Sequence, residues 1–143
     1  MPENVNPPGL PPARGYSHVT IAGDTVWLGG QIGCDETGRV LEPLDVAAQF
    51  GRALRNVATA LEAAGCRPQD VVKLTYYVTH VAGYRADLKP IGEHYRSVFG
   101  KHYPATTLVE VKGLFDPDAM VEIEAVAVRP RAQAEPGTTS PLS

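Results

Sequence analysis

The order of β-rich and helical segments in this 143-residue chain predicts an α+β domain with the element order ββαβαββ. Two helical patterns, in which apolar residues recur at steps of three and four, alternate with five short β-rich runs. Parallel crossovers between strands are right-handed, which places both helices on the same face of a mixed sheet. Because the chain offers no third helix for the other face, we expect copies of the chain to associate there.

The N-terminal segment has no hydrophobic periodicity. Residues 1–14 contain five prolines, which predicts an extended arm. The segments Ser17 to Ile21 and Thr25 to Leu28 then have strand composition, and the Gly23-Asp24 dipeptide between them is typical of a tight hairpin turn.

A long helix is predicted between Asp45 and Ala64. Asp45 is a suitable N-cap and Gly65 a suitable C-terminal stop. The run from Val71 to Thr79 is β-branched and aromatic, which predicts a buried strand. The apolar stripe of the helix consists of Val46, Phe50, Leu54, Val57 and Leu61.

A second helical stripe extends from Tyr84 to Val98 and ends at Gly100. Pro90 lies inside it and is expected to bend the helix or to lower its stability. The last two strands are predicted at Thr106 to Lys112 and at Met120 to Val128. The folded domain is therefore expected over residues 15–130, followed by a tail at 131–143 whose Pro, Gly, Ser and Thr content predicts disorder.

Composition narrows the function classes. A net charge of −3 and a pI near 5.8 argue against a nucleic-acid partner. No apolar run approaches the roughly 20 residues that a membrane span needs, and the N-terminus does not resemble a signal peptide. The two cysteines do not form a disulfide framework. We expect a cytoplasmic protein that needs no cofactor. We also expect no metal site, since the four histidines lack metal-ligand spacing.

Several short motifs occur in a specific order along the chain. They are Gly15-Tyr16-Ser17, Gly29-Gly30-Gln31-Ile32, Asn56, Ala63-Ala64-Gly65, Asp70-Val71-Val72-Lys73, Tyr103-Pro104-Ala105-Thr106 and Met120 to Val128. In this order they resemble the RidA/YjgF family of enamine and imine deaminases, from Tyr16 to Arg129. The resemblance implies a fold like that of chorismate mutase, a homotrimer around a central β-barrel, and small-molecule clefts between subunits.

The resemblance also implies a set of site residues. Glu122 corresponds to the glutamate that positions water, so it is the catalytic candidate. Tyr16, Gly30 and Gln31 correspond to residues around the ligand. Thr106 occupies the position at which deaminating members have an arginine that binds the substrate carboxylate. A threonine offers no charge, and losing such a pair typically costs some 2–5 kcal/mol. A simple 2-imino acid such as 2-iminopropanoate is therefore a poor candidate substrate.

Other interpretations of these residues remain open. Glu122 and Glu124 share one strand face, which is usually solvated, and Tyr16 could simply pack at the start of a strand. His18 could face the cleft but is more typical of an exposed strand histidine. Cys34 could reach the cleft mouth or could be a small buried residue. A replacement charge could come from Arg85, Lys89 or His94, although surface positions are more typical of each.

Three function hypotheses follow. The leading one is an enzyme that acts on an enamine, an imine or a related conjugated carbonyl compound by water addition or proton transfer. The second is a non-catalytic trimer that binds a metabolite and regulates a partner. The third is a dedicated cyclase or tautomerase step in a catabolic or biosynthetic pathway.

Overall fold

A computed structural model describes residues 1–130. The tail predicted to be disordered, 131–143, lies outside the described residues. Within residues 1–130, six strands form one sheet, accompanied by three helices and a short 3-10 turn at Pro68–Asp70. The strands are β1 Glu3–Val5, β2 Val19–Ala22, β3 Thr25–Ile32, β4 Val71–Val78, β5 Ala105–Glu110 and β6 Val121–Val128, and the helices are α1 Val46–Ala63, α2 Val81–Ala86 and α3 Leu88–Phe99.

The sheet is mixed, which confirms the predicted fold class. Its strand order is β1-β2-β3-β6-β4-β5, and every neighbouring pair is antiparallel except β4 and β5. The predicted order ββαβαββ needs two corrections, because it lacks strand β1 and counts one helix too few. No helix within residues 1–130 has the length and apolar character to cross a membrane.

Strand β1 lies inside the proline-rich arm. It pairs with β2 in antiparallel register, with Glu3 opposite Ile21. Asn6, just after the strand, accepts a hydrogen bond from the backbone N–H of His18 at 2.8 Å. Leu10 is buried in the core. Sequence pattern did not indicate this strand, because three residues between prolines show no alternation and the pairing partner is distant in the chain.

The second predicted helix is two helices, so the prediction of one continuous element was wrong. Helix α2 ends at Ala86 and α3 begins at Leu88, with Asp87 between them at φ −109° and ψ 22°. Pro90 is therefore the third residue of α3, where a backbone N–H has no intrahelical partner. The break removes the cost that a proline would carry in a helix interior.

The hydrophobic core lies between α1 and one face of the sheet. The predicted stripe of α1 is buried, and the Asp45 side chain caps the helix by accepting from Ala48 N–H at 3.0 Å. Gly65 follows the helix at φ +75°, a backbone conformation that favours glycine. Alternate residues of β6, from Val121 to Ala127, point into this core.

The opposite face of the sheet is not covered by any helix of the described chain. Tyr77, Glu122 and Glu124 lie on it and are half-buried, whereas Trp27 is 52% exposed and Val128 45% exposed. We call this surface the open face. Its exposed apolar residues are consistent with the expectation that the chain associates with further copies.

Gln49 connects the core helix to the segment that precedes β6. Its side chain is fully buried and donates to the carbonyls of Glu42 at 2.8 Å and Asp118 at 3.0 Å. Its carbonyl oxygen accepts from Met120 N–H at 2.7 Å. These bonds fix the β5–β6 loop against α1, and this loop borders the cleft described below.

We predict that Gln49→Leu lowers the free energy of unfolding by about 2–4 kcal/mol, because three part-buried backbone groups lose their partner. Urea unfolding followed by circular dichroism measures the change. Arg55→Ala, an exposed change on the same helix, is the control and should stay within about 0.5 kcal/mol of the parent. Equal stability of the two variants would contradict the role of Gln49.

Candidate functional site

A cleft of about 660 Å³ lies where the N-terminal arm, the end of β3, strand β6 and the β5–β6 loop meet. We call it the Glu122 cleft. It brings together four of the five residues that sequence analysis singled out. They are Tyr16, Gly30, Gln31 and Glu122.

The absence of a side chain at Gly30 makes room for the carboxyl group of Glu122. A Cβ atom at position 30 would lie 2.6 Å from Cδ and 2.8 Å from Oε2 of Glu122. The carboxyl group therefore rests against the backbone of β3. Ile32 of β3 and Tyr77 of β4 flank Glu122 in register across the sheet.

Burial raises the pKa of Glu122, and the charge of Glu124 on the same strand face raises it further. Glu124 itself accepts a hydrogen bond from Tyr77 Oη at 2.6 Å. The two glutamates therefore differ in environment. Glu124 is held by a tyrosine hydroxyl, whereas Glu122 is a cleft carboxylate with raised proton affinity, which suits a general base.

His18 is buried, so the expectation of an exposed strand histidine was wrong. Its Nε2 lies 2.7 Å from the carbonyl of Pro11, which can only accept, so Nε2 carries the proton. Its Nδ1 then accepts from the side-chain amide of Gln31 at 3.1 Å. This chain of bonds fastens the arm to β3. Tyr16 packs edge-on against the His18 ring at 5.4 Å between centroids.

An irregularity in β3 turns Gln31 inward. The pairing with β6 shifts between Leu28 and Gln31, so that both residues face the core side although they are three apart. The Gln31 amide also donates to Gly29 O at 3.3 Å. Sequence alternation alone would have placed Gln31 on the open face with Trp27 and Gly29.

Asn56 of α1 fixes the end of β3. Its side-chain amide donates to the carbonyls of Ile32 at 2.9 Å and Cys34 at 3.0 Å. Cys34 lines the Glu122 cleft and is buried, so both interpretations of this residue hold at once. Burial, followed by the nearby Asp35 charge, raises the pKa of the Cys34 thiol, which keeps it protonated and weakly nucleophilic at neutral pH.

The structure also places two charged residues at the cleft that sequence analysis missed. Arg14 of the arm and Asp116 of the β5–β6 loop both line it. Neither carried a signal in the sequence, since Arg14 follows a run of prolines and Asp116 lies in a loop.

Thr106 does not lie in the Glu122 cleft. It is in register with Leu74, a core residue, so its side chain points to the helix-covered side, whereas Glu122 points to the open face. Thr106 instead lines a second pocket of about 250 Å³ beside α3, and its hydroxyl donates to Pro104 O at 2.9 Å. Within one chain, the predicted site is thus divided between two faces of the sheet.

The three residues considered for a replacement charge do not line either pocket. Arg85 and Lys89 are exposed. His94 is half-buried against α1, where a Cβ at Gly51 would lie 2.4 Å from its Nδ1.

Comparison with known proteins identifies the family. Residues 8–129 match the family described as endoribonuclease L-PSP. The chain belongs to this family, the RidA/YjgF proteins. Members include a 2-iminobutanoate/2-iminopropanoate deaminase of Salmonella typhimurium, which is 37% identical over 134 residues, or 90% of this chain and 99% of the relative.

Solved structures of RidA/YjgF proteins share the fold. The YjgF gene product of E. coli matches with a TM-score of 0.76 at 35% identity, covering 90% of this chain and 99% of that chain. E. coli TdcF, solved with bound serine, matches with a TM-score of 0.76 at 33% identity over the same shares of both chains.

We predict that Gly30→Ala lowers kcat by about 10-fold or more, because the new Cβ displaces the Glu122 carboxyl group. The displaced atoms belong to the end of a flexible side chain, so the melting temperature should change little. Gly113→Ala, where a Cβ meets nothing within 4 Å, is the control. Wild-type kcat in the Gly30 variant would contradict a fixed carboxyl position.

Proposed function

We propose that this chain is a RidA-type enzyme that deaminates an enamine or imine, with Glu122 as the general base. One observation carries the proposal. A half-buried carboxyl group of raised pKa lies against the Gly30 backbone and shares a cleft with Tyr16. Family membership supports the same chemistry, because relatives named as 2-iminobutanoate/2-iminopropanoate deaminases share 32–37% of their residues with this chain.

The proposed reaction adds water across a C=N bond. Glu122 accepts one proton from water while the water oxygen bonds to the imine carbon. That proton passes to the imine nitrogen, which gives a carbinolamine. Glu122 then takes the remaining hydroxyl proton and delivers it to the amino nitrogen, the C–N bond breaks with its electron pair on nitrogen, ammonia leaves, and the oxygen becomes a carbonyl. An enamine first takes a proton on carbon, which the protonated carboxyl group of Glu122 can supply.

The proposed assembly is a homotrimer with ligand clefts between subunits. The uncovered sheet face supports association, since Trp27 and Val128 expose apolar area there. The division of the predicted site supports clefts between copies. Thr106 and Glu122 point to opposite sides of one sheet, so a small ligand can reach both only where two copies meet.

The substrate is proposed to differ from that of the deaminases named above. Position 106 carries a threonine whose hydroxyl proton is already bonded to Pro104 O. It therefore offers no charged fork for a carboxylate. The same substitution supports the second candidate, a trimer that binds a metabolite without turnover. A small molecule that co-purifies and is released unchanged, with no turnover of any imine or enamine, would favour that candidate.

We predict that Glu122→Gln lowers kcat/KM by about 10²–10⁴-fold, the usual contribution of a general base. In the parent enzyme, kcat/KM should rise with pH through a midpoint above the ordinary glutamate pKa of 4.5, because the base works only when ionised. Steady-state rates from pH 4 to 8 measure both. Parent-like rates in the variant would contradict the assignment.

Glu124→Gln is the matched control on the same strand face. It should keep turnover at neutral pH and move the acid limb to lower pH, because it removes the charge that raises the Glu122 pKa. Stability provides an independent check. A raised folded-state pKa destabilises the protein as pH rises through it, so Glu122→Gln should stabilise the fold at pH 7 but not below about pH 4.

We predict that this chain hydrolyses 2-iminopropanoate at least about 30-fold more slowly than an arginine-bearing deaminase, which follows from the loss of some 2 kcal/mol or more of carboxylate binding. Ammonia release from the freshly generated imine measures the rate, with the Salmonella relative as the positive control. Equal rates would show that Thr106 does not limit this substrate.

A further inference from the structure

The second pocket, beside α3, has aromatic walls. Tyr95 of α3 stacks on Tyr103 at 5.5 Å between centroids, and Tyr84 and Phe50 are among the other aromatic residues of the lining. The pocket has a volume of about 250 Å³, just below the usual range of ligand pockets, which is enough for a molecule with a single ring. We call it the tyrosine pocket.

One cation enters this pocket without an acidic neighbour. Arg96 lines the pocket together with Thr106, and none of the lining residues is an aspartate or glutamate. The guanidinium of Arg96 lies over Gly92, where a Cβ would be 3.1 Å from its Nη1. The ion pairs of residues 1–130 involve Arg52 and Arg67, not Arg96.

The walls of the pocket are apolar, and its cation lies at the rim. Burial raises the pKa of Tyr84 and of Tyr95 to about 12, whereas Arg96 is exposed. The Tyr95 hydroxyl is already committed to His102 O at 2.6 Å. The forked guanidinium is the cation among the lining residues, and a planar carboxylate matches its geometry.

We propose that the tyrosine pocket binds a carboxylate with an apolar, preferably aromatic body, and that Arg96 is its anchor. Arg96 thus supplies from α3 a charge for a ligand whose apolar body fills the pocket, which a small 2-imino acid does not, and the absent side chain of Gly92 gives it room. The catalytic consequence rests on the proposed function. The deaminated substrate is a 2-imino or enamino acid with a bulky apolar side chain, held by Arg96 of one copy and processed by Glu122 of the next.

Binding of stable carboxylates tests the anchor without turnover. Phenylpyruvate and benzoate, titrated into the full-length protein by calorimetry, should bind, and benzamide and pyruvate should bind at least about 10-fold more weakly. Arg96→Ala should weaken benzoate binding by about 10- to 100-fold, and Arg96→Lys by less, because a lysine keeps the charge but not the fork. Arg85→Ala, an exposed arginine outside the pocket, should bind as the parent does.

An arginine placed at position 106 instead of 96 tests whether benzoate binding can be restored. Arg96→Ala combined with Thr106→Arg should regain benzoate binding, whereas Thr106→Lys should regain less. Parent-like benzoate binding by Arg96→Ala, or equal binding of benzamide and benzoate, would overturn the proposal. Circular dichroism confirms that each variant is folded, and Arg96→Gln replaces any that is not.

The outcomes separate this proposal from the proposed function. Glu122→Gln should retain benzoate binding, because Arg96 holds the carboxylate whereas Glu122 of the neighbouring copy acts at the imine carbon, which benzoate lacks. If Glu122→Gln keeps full turnover while Arg96→Ala loses benzoate binding, the deaminase mechanism fails and the anchor stands. If Glu122→Gln loses turnover while Arg96→Ala binds normally, the anchor alone fails.

Discussion

The alternation of side chains across one half-covered sheet controls where the chemistry of this molecule can take place. The helices cover one face of the sheet. Along each strand, every second side chain points into the core beneath the helices, and the side chains between them point to the open face. Glu122 falls on the open side and Thr106 on the helix side. A one-residue slip in the register of β5 or β6 would move every side chain of that strand to the other face. The apolar residues of β6 that must stay buried therefore also keep the Glu122 side chain on the open face.

The Glu122 cleft depends on backbone features as much as on side chains. Gly30 admits the carboxyl group, and the shifted pairing of β3 turns Gln31 toward His18. His18 in turn holds Pro11, so the proline-rich arm becomes a wall of the cleft. The segment that follows the arm contributes Tyr16, whose ring packs edge-on against His18. Burial in the cleft raises the pKa of Glu122. The same burial therefore lowers the stability of the fold at neutral pH and suits Glu122 to its proposed role as a base.

Sequence pattern predicted the elements that rest on local periodicity. The α1 stripe, its Asp45 cap and the β6 alternation were all visible, because burial repeats at a fixed spacing. Strand β1 and the burial of His18 were not, because each depends on a partner many residues away. The family resemblance indicated the cleft residues. The pairing register of β4 with β5 and β6 was needed to show that Thr106 faces away from Glu122. No sequence pattern indicated Arg96.

Subunit mixing tests most directly whether the two faces form one site between copies. Glu122→Gln and Arg96→Ala variants, each impaired alone at substrate concentrations well below KM, are mixed under conditions that exchange subunits, and deamination of an aromatic 2-imino acid is followed. We predict recovery to about a quarter of parent activity, since a random trimer pairs an intact Glu122 with a neighbouring intact Arg96 in about one cleft of four. Activity that never exceeds that of the separate variants, in a mixture shown to contain hybrid trimers, would contradict the shared site.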